Sequence, residues 1–131
     1  MPLRDYSEDS DYYTQGFEKA GVVSIWVGVN DTLNDSEELD VLQDLCGVGY
    51  YELHNQESNC FDFQVVPLKQ LLEEMSYSES FLEEALSSAL RKGIDKARWV
   101  TLQYDFNYDP KQVRRVVKND PVFIGSFPYS E

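Results

Sequence analysis

A chain of 131 residues is of single-domain size, and its 42% hydrophobic and 14% aromatic content is too rich in large buriable side chains for a disordered polymer, even at a formal net charge of −13. That charge repels nucleic acid and anionic membrane surfaces and leaves cationic molecules as the natural partners. With no apolar run near the length of about 18 residues that reads as a membrane span, and no basic-then-apolar leader, the sequence reads as cytoplasmic; Cys46 and Cys60, the only cysteines, read there as reduced thiols rather than a disulfide.

The charge is unevenly distributed. From Ala20 to Leu68 there is no lysine or arginine, while Asp31, Asp35, Glu37, Glu38, Asp40, Asp44, Glu52, Glu57 and Asp62 all fall inside that span. Residues 1–20 mix acids, Ser, Tyr and Gln without a clear period and read as a partly ordered acidic tail, in which Tyr12 and Tyr13 suit docking on the domain or on a partner. Residues 21–131 read as one domain. Val22 to Val29 is β-branched and almost wholly apolar, the pattern of a central strand covered on both faces, with Trp26 in the core.

After a polar turn at Asn30 to Asn34, Asn34 or Asp35 is suited to cap a helix running to Cys46, with Leu39, Leu42, Leu45 and Cys46 on one side and Gly47 as the stop. Glu37, Asp40 and Asp44 fall on the opposite side. Like charges at this spacing destabilise a helix by about 0.2 to 0.5 kcal/mol per pair. Glu37 and Glu38 sit in the first turn, where the helix dipole favours them. Asp40 and Asp44 lie too far along for that, so a partner accounts for them better than helix stability does.

Gly49 to Leu53 and Phe61 to Val66 read as short strands, with Asn55 to Asn59 as the loop between them and Phe61 and Phe63 as core. Pro67 opens a helix carrying Leu68, Leu71, Leu72 and Met75. A second helix follows a capping box at Ser76/Glu79 or Ser80/Glu83; it buries Phe81, Leu82, Ala85, Leu86, Ala89 and Leu90 and ends at Arg91, Lys92 and Gly93. Ala97 to Phe106 is a long strand with Val100, Leu102, Tyr104 and Phe106 on one face. Lys111, Arg114, Arg115 and Lys118 form a basic cluster, and Val122 to Phe127 is the last strand. The expected fold is α+β: a central, mostly antiparallel or mixed sheet of about five strands with three helices packed against it.

Chemistry-bearing patterns are scarce. His54 is the one histidine and stands in no catalytic motif. Cys46, His54 and Cys60 lack the paired spacing of a zinc site, the acids lack the glycine and final glutamate of a calcium loop, and no phosphate-binding glycine loop is present. No enzymatic residue, metal or cofactor is therefore expected.

Three segments together carry a resemblance: Ser24-Ile25-Trp26-Val27-Gly28, then Ser76-Tyr77-Ser78-Glu79-Ser80-Phe81, then Tyr104-Asp105-Phe106 with Phe123-Ile124-Gly125-Ser126-Phe127. From about Val22 to Tyr129 the chain resembles the immunity protein 22 family of bacterial polymorphic toxin systems. The resemblance implies a small α+β protein that neutralises a cognate toxin without catalysis, with Trp26, Gly28, Tyr104, Phe106, Gly125 and Phe127 as structural signature residues. Charge supplies the candidate contact surface: Asp35, Glu37, Glu38, Asp40, Asp44 and Glu52, with Glu57 nearby and exposed Tyr50 or Tyr51 as aromatic anchors, facing a basic toxin domain such as a nuclease. Neither nucleic acid nor membrane is an expected partner. Two other readings stay open: an acidic DNA mimic or adaptor, and an enzyme of unrecognised type using carboxylates such as Asp105 and Asp109.

Overall fold

The computed structural model describes residues 4–30 and 40–130; the capping turn and the acids Asp35, Glu37 and Glu38 lie outside the described residues. Six strands are present among the described residues: β1 (Glu18–Gly28), β2 (Gln56–Cys60), β3 (Val66–Pro67), β4 (Lys96–Ala97), β5 (Trp99–Phe106) and β6 (Val122–Pro128). Four of them form an antiparallel sheet in the order β2-β5-β1-β6, and β3 pairs with β4 in a separate two-stranded sheet. The helices are α1 (Leu68–Leu72), α2 (Leu82–Arg91) and a π-helical turn at Val41–Leu45. The α+β class expected from the sequence is the class observed.

Its two-sided apolar character places β1 in the interior. β1 pairs with β5 from Val23 opposite Tyr104 to Gly28 opposite Trp99, and with β6 from Val22 opposite Pro128 to Val27 opposite Val122. Val23, Ile25 and Val27 are buried on one face with Val100, Leu102, Ile124, the three leucines of α1 and the Phe81/Ala85/Ala89 stripe of α2. On the other face Trp26 packs with Phe17, Leu42, Leu45, Cys46, Val48, Phe106 and Tyr108. Aromatic rings dominate this second core, Trp26 lying 5.0 Å from Tyr108 and 5.5 Å from Phe123 between centroids. Ser24 is the polar exception: its buried hydroxyl bonds the Phe106 carbonyl and Ser126 Oγ, each at 2.7 Å, and accepts the Tyr108 N–H at 2.9 Å.

Several local expectations are corrected. The segment read as a tail packs on the domain, with Tyr6, Gln15 and Phe17 buried, and β1 starts at Glu18 rather than Val22. Gly49 to Leu53 forms no strand, whereas Gln56–Cys60, read as loop, is β2. This edge strand is held by polar pairs, Ser58 with Thr101 at 2.7 Å and Asn59 Nδ2 on the Leu71 carbonyl at 3.0 Å, so it carries no apolar alternation to detect. Of the strand expected over Phe61 to Val66 only Val66 is extended, in β3; Phe61 to Phe63 turns because Asp62 and Phe63 adopt left-handed backbones, at φ 54° and 57°, and Phe61 stays 39% exposed. Leu90, one helical turn beyond Leu86, emerges to 61% exposure. In β5, Asp105 at φ 55° breaks the alternation, so Phe106 joins Trp26 while Tyr104 stays on the helix side.

Gly28 lies directly under the Trp99 indole, and a Cβ built there would sit 1.9 Å from Trp99 Cε2. Gly28→Ala therefore forces the indole out of place; we expect a loss of about 1 to 3 kcal/mol in urea unfolding, accompanied by a shift in tryptophan emission.

Candidate functional site at the acidic, tyrosine-rich end of the sheet

The chain that covers the Trp26 face is mostly irregular, and its backbone polar groups are met by side chains. Gln15 donates from Nε2 to the Gly47 carbonyl at 2.9 Å and accepts the Gly49 N–H at 2.7 Å, while Gln43 Nε2 donates to the Gly49 carbonyl at 2.9 Å. Asp40 caps the π-helical turn: Oδ1 accepts the Gln43 N–H at 3.0 Å and Oδ2 accepts the Tyr51 hydroxyl at 2.7 Å. Asp44 accepts the Asp40 N–H at 2.9 Å and the Tyr6 hydroxyl at 2.5 Å.

These bonds revise two expectations. Asp40 and Asp44 are half-buried and tie the turn to the N-terminal segment and the following loop, in place of an open helix face. Tyr51 is half-buried rather than an exposed anchor, and burial, followed by the bond to Asp40, pushes its phenol well above the ordinary range.

The basic cluster serves the same region. Arg115 donates to the carbonyls of Gln43 and Val48, lies 3.9 Å from the centroid of the Tyr6 ring, and approaches Asp9 at 3.5 Å. Arg114 donates to Ser10 Oγ at 3.4 Å, and the Lys118 N–H reaches the Leu45 carbonyl at 2.9 Å.

Beside this tied region, tyrosines reach the surface. Tyr13 is 73% exposed and Tyr50 37%, with centroids 5.5 Å apart, and Tyr12 lies 4.7 Å from Tyr13. The Tyr50 N–H bonds the Tyr12 carbonyl at 2.8 Å, which fixes the loop against the N-terminal segment. Tyr12, Tyr13, Tyr50, Glu18 and Phe106 line a shallow hollow of about 160 Å³. Tyr50 donates its hydroxyl to Glu52 at 2.6 Å, and Glu52 lies 3.5 Å from the His54 imidazole. Of the expected contact residues, Tyr50 and Glu52 are thus brought together.

A second hollow, of about 340 Å³, opens on the other side of the Asp105–Phe106 end of β5 and is lined by Glu57, Tyr77, Tyr104, Asp105 and Tyr129. Ser76, expected to cap a helix, donates its N–H (2.9 Å) and its hydroxyl to Glu57. The Tyr104 hydroxyl shares its one proton between Glu57 at 3.0 Å and the Ser76 carbonyl at 2.7 Å. Asp105 accepts the Tyr129 hydroxyl at 2.7 Å and the Gly21 N–H at 2.9 Å, and these two bonds hold its carboxyl below the ordinary carboxylate range. Asp109 caps a separate turn by accepting the Lys111 N–H at 2.9 Å, so Asp105 and Asp109 have different partners.

Glu18, Tyr77 and Tyr129 were not singled out by sequence reasoning. Tyr77 and Asp105 lie within the resembling segments, and nine tyrosines in an acidic chain were the available signal. Of the signature residues, Trp26, Phe106 and Phe127 are buried, Gly28 admits Trp99, Gly125 takes a φ of 143° and Tyr104 lines the second hollow. Among the described residues no group of three or more His, Cys, Asp or Glu is placed to hold a metal, and no helix is long and apolar enough to cross a membrane. No protein-family model, curated protein or solved structure matches the chain.

Burial raises the Glu57 carboxyl, but its bonds from Ser76 and Tyr104 outweigh this and bring it below its ordinary value of 4.5. A carboxyl lowered by folding stabilises the fold above its unfolded pKa, and the contribution is lost as pH falls through the folded value. Glu57→Gln should cost about 1 kcal/mol at pH 7, discounted for partial solvent screening, and the gap to the unsubstituted protein should close in urea melts taken progressively below pH 4.5. Arg115→Met, which strips two carbonyls of their donor, should cost about 2 to 3 kcal/mol and expose the N-terminal segment to limited proteolysis.

Proposed function

We propose that this chain is a non-catalytic immunity protein of a bacterial polymorphic toxin system, cytoplasmic, which binds and neutralises a basic toxin domain such as a nuclease. The observation that carries the reading is charge left without internal compensation beside exposed tyrosines. Among the described residues the ion pairs within 4.0 Å are Arg4 with Asp9, Arg115 with Asp9, and His54 with Glu52. Glu18, Glu57 and Asp105 have no such pair, and they sit at the same end of the sheet as Tyr13, Tyr50 and Tyr77.

A surface of this composition suits protein recognition. Tyrosine supplies rigid contact area at low entropic cost, and carboxylates raise the rate of encounter with a cationic partner from an unsteered value near 10⁵ to 10⁶ M⁻¹s⁻¹ toward about 10⁸ to 10⁹ M⁻¹s⁻¹ at low salt. An inhibitor that must intercept a toxin quickly gains from both. The gathering of acids and tyrosines at one end of the sheet favours a single cognate partner over mimicry of a regular phosphate ladder.

The test is to inspect the adjacent gene for a toxin C-terminal domain and to measure binding of the purified pair. Glu18→Lys combined with Glu52→Lys should slow association about ten-fold or more at low salt, with the difference shrinking as salt rises. Tyr13→Ala and Tyr50→Ala should instead accelerate dissociation, at a cost of about 2 kcal/mol for an anchor. Association and dissociation rates unchanged in all three variants would remove this end of the sheet from the interface. Failure of the purified pair to bind would remove the immunity reading.

A further inference from the structure

We propose that the hollow formed by Tyr77, Tyr104 and Tyr129 with Glu57 and Asp105 is a receptor for one guanidinium or ammonium group, supplied by an arginine or lysine side chain of a protein partner. The identity of the partner rests on the reading above. The selectivity of the hollow rests on its own geometry.

The three rings lie close together. Tyr77 and Tyr129 are stacked, at 5.6 Å between centroids and 19° between planes, and Tyr104 stands at 90° to the first and 79° to the second, at 6.0 and 5.0 Å. Tyr77 is 42% exposed, so the group opens to solvent. A tyrosine face carries the negative part of the ring quadrupole and attracts a cation within about 6 Å of its centroid, and guanidinium, being planar and weakly hydrated, exploits such a surface best.

The carboxylates supply the charge. Ser76 and the Tyr104 hydroxyl donate to Glu57, and the Tyr129 hydroxyl and Gly21 N–H donate to Asp105, so both acids are fixed in position before any ligand arrives. No described lysine or arginine lies within 4.0 Å of either carboxylate. Both bonds to Asp105 fall on Oδ1, which leaves Oδ2 to accept from a planar donor. The Tyr104 and Tyr129 hydroxyls and Ser76 Oγ already donate to protein oxygens, and His54 and Asn55 complete the lining, so the hollow sets two carboxylates and three rings against one imidazole and one amide. An anion is repelled, a neutral amide gains only hydrogen bonds, and a cation gains both charge and ring contacts. The volume of about 340 Å³ accommodates a side-chain terminus rather than a large cofactor.

Position favours a side chain of a docked protein over a free amine. The hollow adjoins the Tyr12/Tyr13/Tyr50 surface across the Asp105–Phe106 end of β5, so a partner resting on those tyrosines reaches it with a long basic side chain. In that arrangement one tyrosine cluster provides contact area and the other takes an anchoring charge.

The experiment needs no toxin and so fails or succeeds independently of the immunity reading. The full chain, labelled for NMR on its tyrosine rings and backbone amides, is titrated with N-acetyl-arginine-N-methylamide, with its neutral citrulline isostere, and with tetramethylammonium chloride. We expect saturable shifts from the arginine compound at Tyr77, Tyr104 and Tyr129, with Kd on the order of millimolar for one exposed cation site. Citrulline should give none. Tetramethylammonium, which cannot donate to the carboxylates, should bind about five-fold or more weakly than arginine. Glu57→Gln should weaken arginine binding by about the same factor. Tyr77→Asn, chosen because asparagine tolerates the left-handed backbone at φ 62°, should do so too, with amide spectra confirming an intact fold. Equal shifts with citrulline, or shifts scattered over the acidic surface, would overturn the receptor; tetramethylammonium binding tighter than arginine would overturn its assignment to a protein side chain.

Discussion

Strand β1 is apolar on both faces and must be covered on both, and the rest of the molecule follows from that requirement. One face is met economically: α1 and α2 lay leucines, Phe81 and alanines over Val23, Ile25 and Val27. The other is met by irregular chain, the N-terminal segment, the π-helical turn with its following loop, and the connection after β5. Irregular chain over a core leaves buried N–H and C=O groups that no ladder satisfies, and each costs free energy unless a partner is found. Gln15, Gln43, Asp40, Asp44 and Arg115 are those partners, each bonding backbone of this layer.

The division of labour among the acids follows. An acid near this layer accepts from a backbone N–H and a tyrosine hydroxyl and ties two segments together, half-buried, as Asp40 and Asp44 do. At the end of the sheet Glu57 and Asp105 likewise accept a backbone N–H and a phenol, and neither they nor Glu18 and Glu52 have a described lysine or arginine within 4.0 Å. The basic cluster that would neutralise them is placed elsewhere: Arg115 is bound to the loop carbonyls of the second layer, and Arg114 reaches Ser10.

What the sequence made legible is set by where apolar periodicity survives. β1, β5, β6 and α2 bury large side chains at regular spacing, so each was readable, and with them the α+β class. β2 was not, because Gln-Glu-Ser-Asn-Cys pairs through side-chain hydrogen bonds on an edge strand and leaves no hydrophobic signature. The aromatic run Phe61 to Val66 was read as strand because propensity cannot see two consecutive left-handed residues. For the site, composition singles out acids as a class but cannot say which of them are tied into the fold, since that depends on whether a tyrosine or a backbone N–H comes to meet them from far along the chain. Tyr6 meets Asp44 across 38 residues and Tyr104 meets Glu57 across 47, separations that no local pattern encodes.

One motif, a phenol donating to a carboxylate, recurs at two places in the fold. Tyr51 with Asp40 and Tyr6 with Asp44 are packed into the second layer, where the bond fixes one segment on another. Tyr50 with Glu52, Tyr104 with Glu57 and Tyr129 with Asp105 lie around the open end of the sheet. There the same bond orients an anion without neutralising it, because a phenol donates a proton that it does not give up: burial and the adjacent Glu57 charge drive the Tyr104 phenol far above its ordinary range. Carboxylates held by hydroxyls keep their charge and lose their freedom, so the cationic partner proposed above would meet groups whose ordering entropy has already been spent in folding. The tyrosine content of this acidic chain therefore joins its stability to the fixed placement of its surface charge.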